Sequence, residues 1–197
     1  MFISFEGLDG CGKTTQAAML ADALELEGRE VVRVREPGGT TTGEQIRELL
    51  LDPAATIAAP AEALLYAAAR AQLVAELIAP ALARGSVVIA DRFIDSSLAY
   101  QGVARGLGLE RILAVNQLAT GGLMPDRTLL LQMPVEQASE RRGAAPDRIE
   151  AESAGFHSAV ADGFAAAAAR FPERIRVVDA SGPPRAVLAR VREAVGA

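Results

Sequence analysis

The 197-residue sequence contains one cysteine, one histidine and no tryptophan. A single cysteine excludes an internal disulfide framework and a metal site built from several cysteines. No uninterrupted apolar run approaches the roughly 18–20 residues of a membrane-crossing helix, because Glu76 and Pro80 interrupt the apolar segment at residues 73–83. Residues 1–5 are typical of a strand, without the basic region of a signal peptide. We therefore expect a cytoplasmic protein that does not enter a membrane.

The charge balance also limits the possible partners. The formal net charge is -5 and the sequence pI is about 5.0. A broad surface for binding nucleic acid is not expected at this charge, so any phosphate binding must be local. Half of the residues are hydrophobic, many of them alanines, which favour helices. The length suits one domain with a substantial core, covering residues 1–197.

Apolar, β-rich runs alternate with longer helical patterns along the chain. Strands are predicted at residues 2–5, 31–34, 86–90, 128–132 and 175–178. Helices are predicted near residues 14–27, 43–51, 60–84, 96–121 (as a pair) and 184–195. Such alternation predicts an α/β fold with a doubly wound, five-stranded parallel sheet and helices on both faces.

A phosphate-binding motif follows the first predicted strand. Residues 7–14 read GLDGCGKT and match G-x-x-x-x-G-K-[ST] between a strand and a helix. The glycines let backbone N–H groups form an anion nest, Lys13 adds a charge for the β- and γ-phosphates, and Thr14 can bind Mg²⁺. A plain Gly-rich turn would not explain a lysine at the start of a helix. The fold is therefore expected to be of the P-loop NTPase type. The predicted ATP-binding residues are Gly7, Leu8, Asp9, Gly10, Cys11, Gly12, Lys13 and Thr14.

Three further segments carry cations that could neutralise a second phosphate. Asp91-Arg92 follows the buried third strand, at the edge of the sheet where α/β proteins bind ligands. Asp91 could hold Mg²⁺ directly or through water, and Arg92 could meet phosphate oxygens. Residues 35–40 (REPGGT) place Arg35 at the end of the second strand. Arginines in the Gly/Pro-containing segment at about residues 141–150 could form a short mobile lid over ATP. The alternative for Asp91-Arg92 is a surface ion pair, and the alternative for Arg35 is a strand cap. For the arginines of the last segment, the alternative is a solvated charge cluster.

Taken together, these segments resemble the thymidylate kinase family in its bacterial form. The matching pieces are residues 5–15, 35–40, 66–70 (YAAAR), 91–101 (DRFIDSSLAYQ) and 147–150 (DRIE). They occur in the family's order and spacing from residue 2 to about residue 155. The run at 91–101 is the most specific piece and the phosphate loop is the least specific.

The resemblance implies residues that bind the base and the sugar of dTMP. Tyr66 occupies the position that stacks on thymine, and Arg70 looks like the residue that donates a hydrogen bond to a base carbonyl. Ser97 and Gln101 resemble the polar contacts to the base edge. Tyr100 resembles the ring that crowds a ribose 2′-hydroxyl. For Tyr66, core packing is the alternative interpretation.

On the phosphate side, the resemblance places Asp9 near the 3′-hydroxyl and the acceptor phosphate. Arg35 and Arg92 look like the phosphate clamp, and Glu36 belongs to the same dTMP-binding set. Gly10 stands where the eukaryotic form has an arginine, which implies that lid arginines serve instead. The catalytic residues implied are Lys13, Asp9, Arg92, Arg142 and Arg148.

The expected reaction is ATP + dTMP → ADP + dTDP with Mg²⁺, by a homodimer. One alternative is a kinase for another acceptor, such as a deoxynucleoside or a purine monophosphate. Another is a nucleotide-dependent switch. A GTPase should carry an Asn-Lys-x-Asp motif, and the sequence Asn-Gln-Leu-Ala at 116–119 does not supply it.

Overall fold

A computed structural model describes residues 1–141 and 146–196, and only the backbone of Ser139. Its five strands form one parallel sheet in the order β2-β3-β1-β4-β5. The strands are β1 Phe2–Glu6, β2 Val31–Arg35, β3 Val87–Asp91, β4 Arg127–Gln132 and β5 Ile175–Asp179. The predicted five-stranded parallel sheet is confirmed, with strand ends within one residue of expectation.

Helices cover both faces of the sheet. They are α1 Lys13–Leu26, α2 Thr41–Leu51, α3 Ala59–Leu73, α4 Ala79–Ala83, α5 Ile94–Ser97, α6 Leu109–Thr120, α7 Val135–Glu140, α8 Ala154–Arg170 and α9 Pro184–Val195. Two π-helical segments, Val74–Ile78 and Leu98–Ala104, join α3 to α4 and extend α5. Two α-helices begin at side-chain caps, because Thr40 accepts from the N–H of Gly43 and Ser153 from that of Phe156.

The core explains why the sheet is buried on both faces. Alternate residues of a strand point to opposite faces, so Ile3 and Phe5 pack in the cluster that includes α1 and α9 residues. Phe2 packs with residues of α3 and α4 in the other cluster. Central strands β1 and β3 are nearly wholly buried, which accounts for their continuous apolar sequences.

The sheet register places two motifs side by side. β1 pairs with β3 so that Phe5 lies opposite Asp91. The phosphate loop follows β1 and Arg92 follows β3, so both leave the same edge of the sheet. The phosphate loop and Arg92, which are separated by some 80 positions in the sequence, therefore lie next to each other.

The helical stretch Ala59–Ala83, which spans α3 and α4, has 25 residues and contains an 18-residue window with a mean hydropathy of 1.2. By length and composition alone, this stretch is apolar enough to cross a membrane. It was not identified from the sequence, because only uninterrupted apolar runs were considered there. A core helix of a globular domain meets the same criterion, and this one carries buried Glu62 and Arg70, both paired with charged groups of other elements. Because 39% of its apolar window is buried inside the protein, we interpret it as a helix with one face packed in the core and the other at the surface.

Local helix geometry was predicted less well. The helix predicted at residues 60–84 contains a π-helical segment, and the predicted pair at 96–121 begins at Ile94 and breaks after Ala104. A helix was expected before the segment that begins at residue 141, but the bounds of α7 were not predicted. It packs against the phosphate loop so closely that a Cβ atom on Gly10 would lie 2.0 Å from the carbonyl oxygen of Ala138.

Candidate active site

A cavity of about 530 Å³ opens at the carboxyl edge of the sheet. Lys13 and four arginines line it: Arg35, Arg47, Arg92 and Arg141. The phosphate loop forms one side, and residues of α3, α5 and the following π-helical segment form the other. The cations gathered here suit a site for two polyanionic ligands.

Glycine is required in the phosphate loop for both conformation and space. Gly7, Gly10 and Gly12 have φ values of 135°, 87° and 94°, a region that residues with a Cβ atom rarely adopt. A Cβ atom on Gly7 would also lie 2.4 Å from the carbonyl oxygen of Leu131. The N–H of Cys11 donates to the carbonyl oxygen of Leu8 at 3.3 Å within the loop. The loop leads directly into the first turn of α1, which is a favourable place for phosphate.

Lys13 lies folded against this loop. Its side chain is 6% exposed, and Nζ donates to the carbonyl oxygen of Leu8 at 2.8 Å. Oδ1 of Asp9 lies 3.6 Å from Nζ. The ammonium group is thus held at the floor of the cavity, and it can neutralise the phosphates of a bound nucleotide.

Thr14 and Asp91 meet at the end of β3. Oγ1 of Thr14 donates to Oδ2 of Asp91 at 2.5 Å. Within residues 1–141 and 146–196, no group of three or more His, Cys, Asp or Glu side chains could hold a metal. One hydroxyl and one carboxylate nonetheless fit Mg²⁺, which commonly uses one or two protein oxygens and takes its remaining ligands from water and phosphate.

Arg92 connects the phosphate loop with the other side of the cavity. It has a φ of 71°, an uncommon backbone conformation for a residue other than glycine. Its guanidinium group donates to a carboxylate oxygen of Asp9, to the carbonyl oxygen of Gly7 at 3.1 Å and to Oγ of Ser96 at 3.0 Å. Tyr100 packs beside it, with the guanidinium carbon 5.3 Å from the ring centroid. Predicted catalytic residues Asp9, Lys13 and Arg92 therefore lie in one contact network.

The charges of this network alter the pKa of Asp9. Burial opposes ionisation of the carboxyl group, but the charges of Arg92 and Lys13 outweigh burial and hold the pKa well below its usual value. Asp9 is consequently ionised at neutral pH and acts as an acceptor between the two cations.

Glu6 lies directly behind Arg92 and was missed by sequence reasoning. Its Oε1 accepts from the N–H of Phe93 at 2.7 Å, and Oε2 accepts from Oγ of Ser96 at 2.5 Å. Burial, together with the nearby charge of Asp95, raises its pKa to about 8. An acidic residue at the end of a buried strand was the available signal.

The predicted base-binding residues divide into two groups. Tyr66, Ser97, Tyr100 and Gln101 line the cavity. Arg70 does not line it and is only 1% exposed.

The protein itself uses all five N–H donors of Arg70. They reach Glu36, Ser97, Asn116 and the carbonyl oxygen of Phe93. Arg70 consequently has no free N–H for a base in this state, and its direct contact with a base carbonyl stays a prediction that requires one of these partners to be released. Asn116, whose Oδ1 accepts from Arg70, was not predicted as part of the site.

The last residue of β2, Arg35, and the first residue of the loop that follows, Glu36, both line the cavity. Glu36 is 6% exposed and turns back to Arg70, whereas Arg35 is 48% exposed and donates to both carboxylate oxygens of Glu44 at 2.9 Å. The peptide bond between Glu36 and Pro37 is cis. Arg47, which was not predicted, donates to the carbonyl oxygen of Pro37 at 2.8 Å.

The predicted lid lies partly outside the described residues. Arg142 belongs to the gap, whereas Arg141, Asp147, Ile149 and Glu150 line the cavity.

Arg148 turns away from the cavity. It donates to the carbonyl oxygen of Leu50 at 2.7 Å and to Oε2 of the buried Glu62 at 2.8 Å. Its predicted catalytic contact is therefore not formed in this state, and neither Glu62 nor this pairing was anticipated from the sequence.

The geometry of the cleft indicates the general class of protein. A lysine-bearing phosphate loop that shares one cleft with several arginines is the arrangement of P-loop proteins that act on phosphoryl groups. The sequence profile of the family described as Thymidylate kinase matches residues 5–191. The chain belongs to the thymidylate kinase family.

Individual relatives agree with this assignment. The chain is 51% identical to a thymidylate kinase of Caldanaerobacter subterraneus over 195 residues, which cover 98% of this chain and 94% of that protein. It is 51% identical to one of Gloeobacter violaceus over 199 residues, covering 99% and 94%. The crystal structure of thymidylate kinase from Ehrlichia chaffeensis superposes with a TM-score of 0.81 at 34% identity, covering 100% of this chain and 98% of that one.

Proposed function

We propose that this chain is a dTMP kinase that transfers the γ-phosphoryl group of ATP to dTMP, yielding ADP and dTDP for dTTP formation. The observation that carries the proposal is the contact network of Lys13, Asp9 and Arg92, which joins the phosphate loop to the opposite side of the same cavity. Two nucleotides bound at the two sides would meet at this network.

On the donor side, ATP binds along residues 7–14, with its β- and γ-phosphates against the loop N–H groups and Nζ of Lys13. Thr14 and Asp91 would hold Mg²⁺, directly or through water, where it would neutralise phosphate charge. Lys13 already lies at the cavity floor, so little side-chain ordering is needed when ATP binds.

On the acceptor side, Arg35 and Arg92 clamp the phosphate of dTMP. Tyr66 offers a ring face to the pyrimidine, and Ser97 and Gln101 offer polar groups to its edge. The ring of Tyr100 lies against Arg92 and its hydroxyl lies 3.2 Å from Oδ2 of Asp9. In this proposal the Tyr100 ring and the Asp9 carboxylate would border the sugar of dTMP, and the ring would favour a deoxyribose.

Catalysis requires positioning and charge neutralisation rather than a strong base, because the acceptor is already an anionic phosphate. We propose that residues 141–150 act as a lid whose arginines Arg141 and Arg142 approach the transferred group. Arg148 would join them only after leaving Glu62. Exclusion of water by this lid would protect ATP from hydrolysis.

We also propose a cytoplasmic homodimer that binds neither nucleic acid nor membrane. Large exposed apolar side chains support a shared helical surface: Leu49 is 49% exposed, Leu64 59% and Leu118 87%. They lie on α2, α3 and α6, and α3 packs against each of the other two helices. Analytical ultracentrifugation tests this, and a monomer at micromolar concentration would contradict it.

The experiment that tests the function is an acceptor panel with ATP and Mg²⁺. We expect phosphorylation of dTMP to exceed that of dUMP, dCMP, dGMP and thymidine, measured as ADP release and as the phosphorylated product. A preference for thymidine over dTMP would reject the phosphate clamp at Arg35 and Arg92. Nucleotide binding without turnover of any acceptor would favour a switch protein.

A further inference from the structure

Glu62 lies behind the acceptor site rather than in it. It is 0% exposed and does not line the cavity. It sits on α3, one helical turn before Tyr66. Its carboxylate accepts from three side chains: Nε2 of Gln101 at 2.9 Å, Nε and Nη2 of Arg105 at 3.2 Å each, and Nη2 of Arg148 at 2.8 Å.

These contacts keep Glu62 ionised. Burial opposes ionisation, but the hydrogen bonds from Arg105, Gln101 and Arg148 outweigh burial and lower the pKa of the carboxyl group. An ionised carboxylate has no proton to donate, so it can only accept hydrogen bonds. Gln101 must therefore turn its amide NH₂ group toward Glu62.

The consequence appears at the other end of the Gln101 amide. Among the described residues, only Oε1 of Gln16 and Oγ1 of Thr120 are buried polar side-chain atoms without a partner. Oε1 of Gln101 is not one of them, although no described donor reaches it. Since Gln101 lines the cavity, this oxygen is open to the cavity as a hydrogen-bond acceptor.

We propose that Glu62 is a specificity-determining positioning residue, which locks Gln101 so that the acceptor site receives an N–H group of the base. This inference rests on the proposed acceptor site. N3 of thymine and uracil carries a hydrogen, whereas N3 of cytosine is an acceptor. An amide oxygen facing N3 would bind the first two bases and repel the third.

Arg70 fixes the hydrogen-bonding role of the Ser97 hydroxyl, as Glu62 fixes that of the Gln101 amide. Arginine only donates, and Nη1 of Arg70 donates to Oγ of Ser97 at 2.9 Å. The hydroxyl proton of Ser97 is thereby left to be donated elsewhere, and Ser97 also lines the cavity. The Ser97 hydroxyl is then the donor, and the amide oxygen of Gln101, four positions along the chain, is the acceptor. This pair matches the carbonyl next to an N–H group in thymine and uracil better than the amine next to an unprotonated ring nitrogen in cytosine.

The first test replaces Glu62 by glutamine. In Glu62→Gln, the Nη2 atoms of Arg105 and Arg148, which both donate to Oε2 of Glu62, still require an acceptor, so they hold the new amide oxygen at that position. The new NH₂ group then faces Gln101, which must turn its own oxygen inward and its NH₂ group toward the cavity. We expect the ratio of kcat/KM for dTMP to that for dCMP to fall about tenfold to hundredfold, the range associated with an unpaired buried polar group.

Two internal controls separate positioning from damage. The ratio of dTMP to dUMP should not change, because both bases show the same edge. Arg105→Met removes one partner of Glu62 but leaves its carboxylate facing Gln101, so it should leave the dTMP:dCMP ratio at the wild-type value. An equal loss for all three acceptors in Glu62→Gln would overturn the proposal.

A double-mutant cycle tests whether Glu62 acts through Gln101. In a Gln101→Leu background, adding Glu62→Gln should change the dTMP:dCMP ratio less than twofold. A full change there would mean that Glu62 acts by another route. If Glu62→Gln does not fold, Glu62→Asp keeps the charge for the arginines but withdraws it from Gln101 by one methylene group, and the ratio should fall in the same direction.

Assays of the wild-type enzyme show whether the proposed acceptor site or only the proposed role of Glu62 is wrong. If it phosphorylates none of dTMP, dUMP and dCMP, the proposed acceptor site itself is wrong. If it phosphorylates dTMP and the Glu62 variants retain the wild-type preference, only the role of Glu62 is wrong.

Discussion

The donor side of the cleft is formed by eight consecutive residues, 7–14, whereas the acceptor side is assembled from side chains on separate elements. In our proposal, the phosphate loop binds ATP through backbone N–H groups and one lysine, so all of its binding groups lie within a short stretch of sequence. The proposed acceptor side would use Arg35 at the end of β2, Tyr66 on α3, Arg92 after β3 and Gln101 in a π-helical segment. Its hydrogen bonds depend on buried partners that are distant in sequence, such as Glu62 and Arg70.

This difference indicates where each half is vulnerable. A backbone-built site tolerates changes of side chains around it but needs its glycines and its lysine. A side-chain network depends on the pairing of every buried charge. Changes in the two halves should therefore have different signatures, in turnover on one side and in stability or base selectivity on the other.

The largest effect is expected for Arg70→Met, which should lower the free energy of unfolding by about 3–5 kcal/mol, the usual cost of breaking a buried ion pair. Arg70 is 1% exposed and Glu36 6%, so Glu36 would be left charged or forced to take a proton. Urea denaturation measures the loss. Arg70→Met with Glu36→Gln should recover part of it, and a loss below about 1 kcal/mol in the single variant would contradict the pairing.

Lys13→Ala should break the donor side without unfolding the protein. We expect kcat to fall at least about 10²–10³-fold, as when one stabilising donor is removed from a transition state, with little change in the urea midpoint. Lys13 is the only lysine in the sequence, so no other ammonium side chain can substitute for it. Arg29→Ala, an equal change of charge at an exposed position, should retain wild-type turnover, and near-normal turnover in Lys13→Ala would refute the assignment.

The pH dependence of stability should reveal Glu6, which lies between the two halves. Its pKa is raised from 4.5 to about 8 in the folded protein. Its contribution to stability is therefore fully present below about pH 4.5 and is lost as the pH rises to about 8, at up to about 1.4 kcal/mol per pH unit. Glu6→Gln should flatten this part of the stability curve, measured by urea denaturation from pH 5 to 9. Parallel curves for the two proteins would disprove the shift.

The smallest effect is expected for Glu44→Gln at the rim of the acceptor side. Glu44 binds Arg35, but both side chains are more than 40% exposed, and exposed pairs contribute about 0–1 kcal/mol. The free energy of unfolding should change by less than about 1 kcal/mol. A loss comparable to that of Arg70→Met would show that exposure does not separate the two ion pairs.

Much of the fold was predictable because its signals are local. Continuous apolar runs such as β3 indicate strands buried on both faces, and helix starts at Thr40 and Pro184 carry recognisable residues. The bounds of α7 were not predicted because six residues give too little periodicity. The π-helical segments were missed because π-helical geometry has no distinct sequence pattern.

Many of the residues that line the cavity were predictable from the sequence, but the buried contacts behind them were not. Tyr66, Arg92, Ser97 and Gln101 line the cavity as expected, but the interior position of Arg70 and the contact of Arg148 with Glu62 were not foreseen. Both depend on which charged side chains meet inside the protein. A carboxylate on an apolar helix has no local sign that it will be buried against two arginines.

By itself, the sequence determined a parallel sheet, a phosphate loop and a family, because each is written in neighbouring residues whose backbone preferences and spacing carry the information. Only the tertiary structure decided which hydrogen-bonding groups line the cavity. The orientation of the Gln101 amide, for example, follows from the burial of Glu62 on a different helix. Burial makes such contacts decisive, because a polar group removed from water must find its partner within the protein.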